Sequence, residues 1–268
     1  MDCKIIKLSI IILFFSTCLQ AVEFEGDFKQ GSFILGKTEP GSKVKIDNKS
    51  IKVTKDGYFV FGLGRDRKHN VLIKISKKGE TKLIEKKIYK RKYKIQKIDG
   101  LPEKKVTPPK EVYERIKREN QIIGKARSIN SNLTFFKNKF IKPLDDAIVT
   151  GVYGSQRILN GKPKWPHYGI DFAAKEGTKI KAMLDGTATM VEPDLFYTGG
   201  TLIFDHGHGI STLYMHMKEI YVKKGQKIKQ GEVIGTVGST GRSTGPHLDV
   251  RLNWFDVRLD PSTVLRLN

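Results

Sequence analysis

The sequence predicts a mainly β protein in three parts: a small N-terminal β-sandwich, a helical linker, and a C-terminal antiparallel, sandwich-like β domain. Three observations carry this. Short alternating segments broken by turn residues run from Glu23 to about Tyr93. Pro108-Pro109 then interrupts the chain, and apolar residues at helical spacing follow between Glu111 and about Ile129. From Ile148 onward the pattern returns to short strands framed by many glycines. At 268 residues the chain is long enough for two domains, each with its own core.

Residues 1–21 read as an export signal. Lys4 and Lys7 precede an apolar run from Leu8 to Phe15, and small residues near Ala21 mark a cleavage point. The run is too short for a membrane span, so no transmembrane segment is expected in the mature form. Both cysteines, Cys3 and Cys18, fall inside this segment, which leaves a chain starting at Val22 without disulfides or thiolate ligands. Cys18 is a poor lipidation site, because Phe15, Ser16 and Thr17 lack the usual aliphatic and small approach.

Residues 22–98 form the expected accessory sandwich. Its strands are Ser32 to Gly36, Val44 to Ile46, Ser50 to Val53, Tyr58 to Gly62 and Val71 to Ile75, and the turns are Glu39-Pro-Gly41, Asp47-Asn48 and Asp56-Gly57. Its last strand runs into Lys86-Lys-Ile-Tyr-Lys-Arg-Lys-Tyr-Lys94, whose alternation fits a half-buried basic edge strand as well as a polyanion groove. Residues 99–130 are the linker and helix. Pro108-Pro109 forbids a regular element around it, and Val112, Ile116, Ile122, Ile123 and Ala126 give the helix one apolar side.

Residues 131–268 carry two look-alike segments, Glu176 to Gly186 and Lys224 to Gly235, each a turn, a short strand and a second turn. Biotinyl and lipoyl carrier domains share that texture. A carrier displays an acceptor lysine at a hairpin tip, and the nearest candidate, Met215-His-Met-Lys218, has its lysine displaced by a histidine. The formal charge of +21 suits either an anionic polymer partner or a surface of solvated lysines with no partner. For an exported protein, such a partner means envelope glycans or lipid surfaces rather than nucleic acid.

Chemistry concentrates in three glycine-framed segments: His167-Tyr-Gly-Ile-Asp171, Tyr214-Met-His216 and Gly245-Pro-His247-Leu-Asp249. Residues two apart on a strand share a face, so His247 and Asp249 address one cavity. His206 and His208, in Asp205-His-Gly-His-Gly209, read as structural residues of a turn, and His69 has no evident partner.

With these motifs, the run Gly238 to His247 and Leu259-Asp-Pro261, the stretch from about Ile148 to Leu265 resembles the lysostaphin-type, or LytM-like, zinc metalloendopeptidases of bacterial cell walls. The N-terminal part is similar to the accessory region that precedes this domain in envelope members. The resemblance implies that His167 and Asp171 are the first two Zn2+ ligands. The third family ligand, the second histidine of an HxH, is Asp249 here. Aspartate is an acceptable zinc ligand at about 2.0–2.2 Å. Two carboxylates and a neutral imidazole cancel the charge of Zn2+, which implies a site that polarises water less than a two-histidine set would.

His216 and His247 match the family's two non-ligand histidines, whose implied roles are proton transfer and oxyanion stabilisation. The implied function is cleavage of peptide cross-links in peptidoglycan, in the periplasm or cell envelope. The alternative is a weak or inactive member that binds the envelope or activates another hydrolase. Glycine bridges and D-alanyl cross-links both fit the family, with the accessory domain leaning toward the latter. Tyr153 to Arg157 and Tyr197 to Gly200 are the loops expected to line the groove.

Overall fold

The computed structural model describes residues 22–265 and 267; the expected export signal, with Cys3 and Cys18, lies outside them. The N-terminal strands are β1 (Glu23–Glu25), β2 (Phe33–Lys37), β3 (Lys43–Ile46), β4 (Lys49–Ile51), β5 (Tyr58–Gly62), β6 (Val71–Lys77) and β7 (Glu80–Lys86). They make two sheets, β1-β2-β5 and β4-β3-β6-β7. Alternation explains the packing: Val71, Ile73 and Ile75 of β6 are buried while Leu72 and Lys74 face out. These residues share one core with Ile34, Phe59 and Phe61 of the other sheet. Asp47 and Asn48 take positive φ of 47° and 71°, the geometry of a two-residue hairpin turn between β3 and β4.

The basic run departs from the edge-strand reading. β7 ends at Lys86, and beyond it Tyr89 makes only an isolated bridge to Lys29. The reason lies in what the run binds. The Arg91 backbone N–H donates to Gln30 Oε1 at 3.0 Å, and Arg91 Nη1 donates to the buried Asp260 carboxylate at 2.7 Å. The Arg65 guanidinium sits 4.3 Å over the Tyr93 ring. The segment is thus a strap from the sandwich to the C-terminal domain, and β8 (Ile95–Ile98), which falls inside the expected bounds of the first domain, pairs in parallel with β10 (Gln156–Leu159) of the C-terminal domain.

The linker also holds more structure than its prolines suggested. A short helix, α1 (Glu103–Val106), precedes them, because Leu101 and Val106 bury against Leu159. Helix α2 (Tyr113–Arg127) is shorter than the spacing predicted, its entry being a 3-10 turn over Lys110–Val112. Ala126, with Ile122 and Ile123 beside it, packs on Met190, Leu195, Ile203 and Leu213, so the helix lies on the C-terminal domain. The buried Glu119 fixes it there, accepting from the Phe196 N–H at 2.8 Å and from Arg115 at 2.6 Å.

The remaining strands are β9 (Ile148–Gly151), β11 (Lys162–Pro163), β12 (Ile170–Ala173), β13 (Lys179–Lys181), β14 (Gly186–Leu195), β15 (Gly199–Gly207), β16 (Ile210–Ile220), β17 (Lys227–Ile228), β18 (Val233–Val237), β19 (His247–Trp254) and β20 (Val257–Leu259). The main sheet runs β17-β14-β15-β16-β19-β12-β9. The two look-alike segments pair with each other, with Ile180 opposite Gly235 and Gly186 opposite Ile228. Their similarity is that of facing halves of one layer.

His206 and His208 serve this sheet. His208 and Gly209, at φ of 50° and 82°, turn β15 into β16. His206 is fully buried; its Nδ1–H donates to the Asp185 carbonyl at 2.7 Å and its Nε2 accepts from the Thr212 hydroxyl at 2.8 Å. Burial pulls its pKa down from 6.5 to about 4, which the Asp185 carbonyl and carboxylate only partly offset. The folded state therefore holds His206 neutral in a range where the unfolded chain protonates. Its contribution is complete above about pH 6.5 and falls by about 3 kcal/mol as pH drops to 4. Urea denaturation at pH 7 and pH 4.5 measures this, and His206→Gln should flatten the dependence; an unchanged slope would refute the assignment.

Candidate metal centre and its paired histidines

Strands β12 and β19 are antiparallel neighbours whose register sets Asp171 opposite Asp249. Opposed residues on such a pair share a face of the sheet. His167 reaches the same point from the loop before β12, held on both sides by backbone: its N–H donates to the Ser155 carbonyl at 2.8 Å, and its carbonyl accepts from the Gly154 N–H at 2.7 Å. Its Nε2 lies 3.1 Å from Asp171 Oδ1 and 3.4 Å from Asp249 Oδ2. All three residues are buried, with ligand atoms within 4.8 Å of one another. Glycines make room for them. A Cβ at Gly151 would stand 2.1 Å from Asp171 Oδ2, and one at Gly169 would stand 2.3 Å from Asp249 Oδ1.

The cluster fits a divalent cation on its own evidence. Both ring nitrogens of His167 and Oδ1 of Asp171 are buried without a hydrogen-bond partner. Such atoms cost about 1–3 kcal/mol each unless something satisfies them. Burial alone would lower the His167 pKa, yet the charges of Asp249 and Asp171 outweigh it and raise it. The pocket thus favours positive charge.

Two arginines whose part here the sequence reading missed complete the cluster. Arg157 Nη2 donates to Asp171 Oδ2 at 2.9 Å. Arg251 grips Asp249 with two hydrogen bonds, from Nε at 3.3 Å and from Nη2 at 3.0 Å. Burial pushes the Asp249 carboxyl up, but Arg251 and His167 more than offset this and hold it well below the usual carboxylate range. The count of two carboxylates against one cation omitted these guanidinium groups. With them, each ligand carboxylate faces a guanidinium as well as the cavity, so a count of ligand charges alone does not set how strongly the site polarises water. The alternation of β19 did contain the signal for Arg251, two residues beyond Asp249. Arg157 was expected only as the end of a groove-lining loop, and its pairing with Asp171 was not legible, because β10 is positioned by its pairing with β8.

His216 and His247 stand beside the cluster, their ring centroids 4.6 Å apart. His216 lies at a β-bulge, where the pairing of β15 with β16 shifts between Gly200 and Leu202, and it adopts a positive φ of 63°. Such backbone costs about 1–3 kcal/mol and persists where its surroundings impose it. Here the His216 N–H donates to the Thr198 carbonyl at 2.8 Å, and Nδ1–H donates to the Thr240 carbonyl at 2.7 Å. His247 Nδ1–H likewise donates to the Gly245 carbonyl at 2.8 Å. A carbonyl only accepts, so each neutral ring carries its proton on Nδ1 and leaves Nε2 as a bare acceptor. Burial, assisted by the neighbouring His247, lowers the His216 pKa to about 4 and keeps it neutral at physiological pH.

His216, Asp249, Arg157, Tyr197 and Thr198 open onto a cavity of about 1180 Å3 that also meets Arg67 of the N-terminal domain. Of the loops expected to line it, Tyr153 departs: it is 2 % exposed, and its hydroxyl donates to the Arg258 carbonyl at 2.9 Å. Gly199 and Gly200 also do other work, seating Thr240, whose hydroxyl accepts from the Gly200 N–H at 2.9 Å.

Residues 165–261 match the model of Peptidase family M23. The peptidoglycan DD-endopeptidase ShyA of Vibrio cholerae is 44% identical over 87 residues, 32% of this chain and 20% of that protein. The DD-carboxypeptidase/endopeptidase Mpg of Neisseria gonorrhoeae is 45% identical over 89 residues, 32% of this chain and 20% of its own length. The matched region thus spans about a fifth of these curated relatives. A putative peptidase M23 from Pseudomonas aeruginosa shares the fold over 89% of this chain and 95% of that chain, with a TM-score of 0.69 and 24% identity.

Proposed function

We propose that this chain, whose residues 165–261 match the model of Peptidase family M23, is a member of that family and a zinc-dependent endopeptidase that cleaves peptide cross-links of bacterial peptidoglycan. The observation that carries this is the convergence of three buried ligand atoms, two of them on side chains with unsatisfied atoms, beside two imidazoles that each present a bare Nε2. His167, Asp171 and Asp249 would hold the ion. When bound, zinc polarises a carbonyl and lowers the pKa of water toward about 7.

The chain's own residues supply the rest. A neutral Nε2 on one of His216 and His247 would accept the proton released by the attacking water, and the imidazolium so formed, now carrying that proton on Nε2, would donate it to the oxyanion or the leaving amine, directly or by way of the bare Nε2 of the other ring. The backbone carbonyls at Nδ1 stabilise each ring when it becomes positive and fix its orientation. Arg157 and Arg251 hold the ligand carboxylates in place.

The same proposal places the protein in the periplasm or envelope. No helix among the described residues is long and apolar enough to cross a membrane. Exposed Lys87, Lys90, Lys92 and Lys94 provide for contact with anionic envelope polymers. The inactive alternative is not favoured. Its support was Asp249, which stands in the cluster with His167 and Asp171.

His216→Ala and His247→Ala test the reading. Each should retain stoichiometric zinc and lose about 10² or more in the rate of cross-link cleavage on purified sacculi. Zinc by atomic emission and soluble muropeptides by chromatography are the measurements. A wild-type rate in either variant removes that histidine from the reaction, and no cleavage by the zinc-loaded wild type overturns the peptidase reading.

A further inference from the structure

Six arginines line the cavity: Arg65, Arg67, Arg157, Arg242, Arg251 and Arg258. Four have a carboxylate: Arg65 pairs with Asp66, Arg67 with Asp47, Arg157 with Asp171 and Arg251 with Asp249. Arg258 has none but donates to Asn253 Oδ1 at 3.3 Å, and Arg242 has none either among the described residues. Its guanidinium lies 4.6 Å over the Tyr197 ring, and its one hydrogen bond to protein, to the Lys105 carbonyl, is long at 3.5 Å. Burial lowers its pKa to about 10, with Arg157 and Arg251 adding to the effect, so the cation stands in a place that lacks its anion.

Its position relative to the proposed chemistry is fixed by backbone. The Arg242 N–H donates to the Tyr197 carbonyl at 2.8 Å, while the neighbouring Thr198 carbonyl and the Thr240 carbonyl hold His216. Arg242 and His216 are thus tied to the same two loops, and both line the cavity. We infer that Arg242 receives a free carboxylate of the substrate, carried on the carbon bonded to the scissile nitrogen.

Elementary chemistry selects that carbon. On the acyl side, the residue's own carboxyl group is consumed in the scissile amide. A carboxylate one carbon from the bond can therefore belong only to the amine side. It is free when the amine comes from the last residue of a chain, or from a second amino group bearing its own α-carboxylate. A D-alanyl cross-link onto a diamino acid and a terminal D-alanyl dipeptide both meet this condition. A glycine bridge does not, since the corresponding carboxyl is amidated. A planar guanidinium in a partly desolvated site takes such a carboxylate through two parallel hydrogen bonds.

This inference rests on the peptidase reading, and its test separates the two. The zinc-loaded full chain is assayed on two synthetic cross-linked peptides that differ only in whether the carboxyl beside the scissile nitrogen is free or amidated. Wild type should prefer the free acid by about tenfold or more in kcat/KM, mainly through KM. Arg242→Gln should narrow that ratio to about twofold through loss on the free acid, and Arg242→Lys, which keeps charge without the fork, should fall between. Zinc content and melting temperature serve as fold controls. Equal cleavage of both peptides by wild type, or an undiminished preference in folded Arg242→Gln, overturns the carboxylate assignment alone. Cleavage of neither by wild type overturns the peptidase reading with it.

Discussion

In His167→Ala, stoichiometric zinc binding is lost and added zinc no longer raises the melting temperature. The wild-type protein should gain about 2.7 kcal/mol of stability at a free zinc concentration one hundred times Kd, because the ion binds only the folded cluster. His167 is the one imidazole in that cluster, and its Nε2 stands between Asp171 and Asp249. Its removal leaves two buried carboxylates, each already engaged by an arginine. Asp171→Ala should lose the ion too, while stranding Arg157. Calorimetric titration with zinc, with circular dichroism as the fold control, measures both. Stoichiometric zinc in the two variants would sink the ligand assignment.

Asp249→His gives the second large effect, and its direction follows from Arg251. From the ligand list alone, this change should restore a two-histidine set and a more electrophilic site. The structure shows that it would also strip a buried guanidinium of its bidentate partner. Breaking one side of such a pair costs about 3–5 kcal/mol. Asp249→His should accordingly be destabilised by that order and bind zinc more weakly than wild type, since a buried cation then faces the ion. Arg251→Met in the same chain should recover much of the loss. Urea denaturation and zinc titration of the two single variants and the double close a thermodynamic cycle. A single Asp249→His variant as stable as wild type, with undiminished zinc affinity, would show that the pair is not coupled.

These two expectations divide along the same line as the rest of the molecule. The strands from Phe33 to Lys77 were legible because alternation is a local property: each residue's face is set by its neighbours in the chain. The helix was legible for the same reason, at a different period. His167, Asp171, His216, His247 and Asp249 were nominated by resemblance and by short spacing, and the fold brings the five together in one place. The alternation of the basic run from Lys86 to Lys94 fits an edge strand, a polyanion groove and a strap equally, and the partners that decide for the strap, Gln30 and Asp260, lie far away in sequence.

By itself, then, the sequence determined which residues are the candidates for the chemistry and the period of each element, since both are written in residue type and local spacing. Only the tertiary structure decided the electrical state of the site. Arg157 arrives through β10, and Arg242 meets Tyr197 across two loops. Coulomb interactions depend on distance in space and on burial, and neither follows from distance along the chain. That is why Asp249 reads in sequence as a loss of positive charge, and in the folded protein as one half of a buried ion pair.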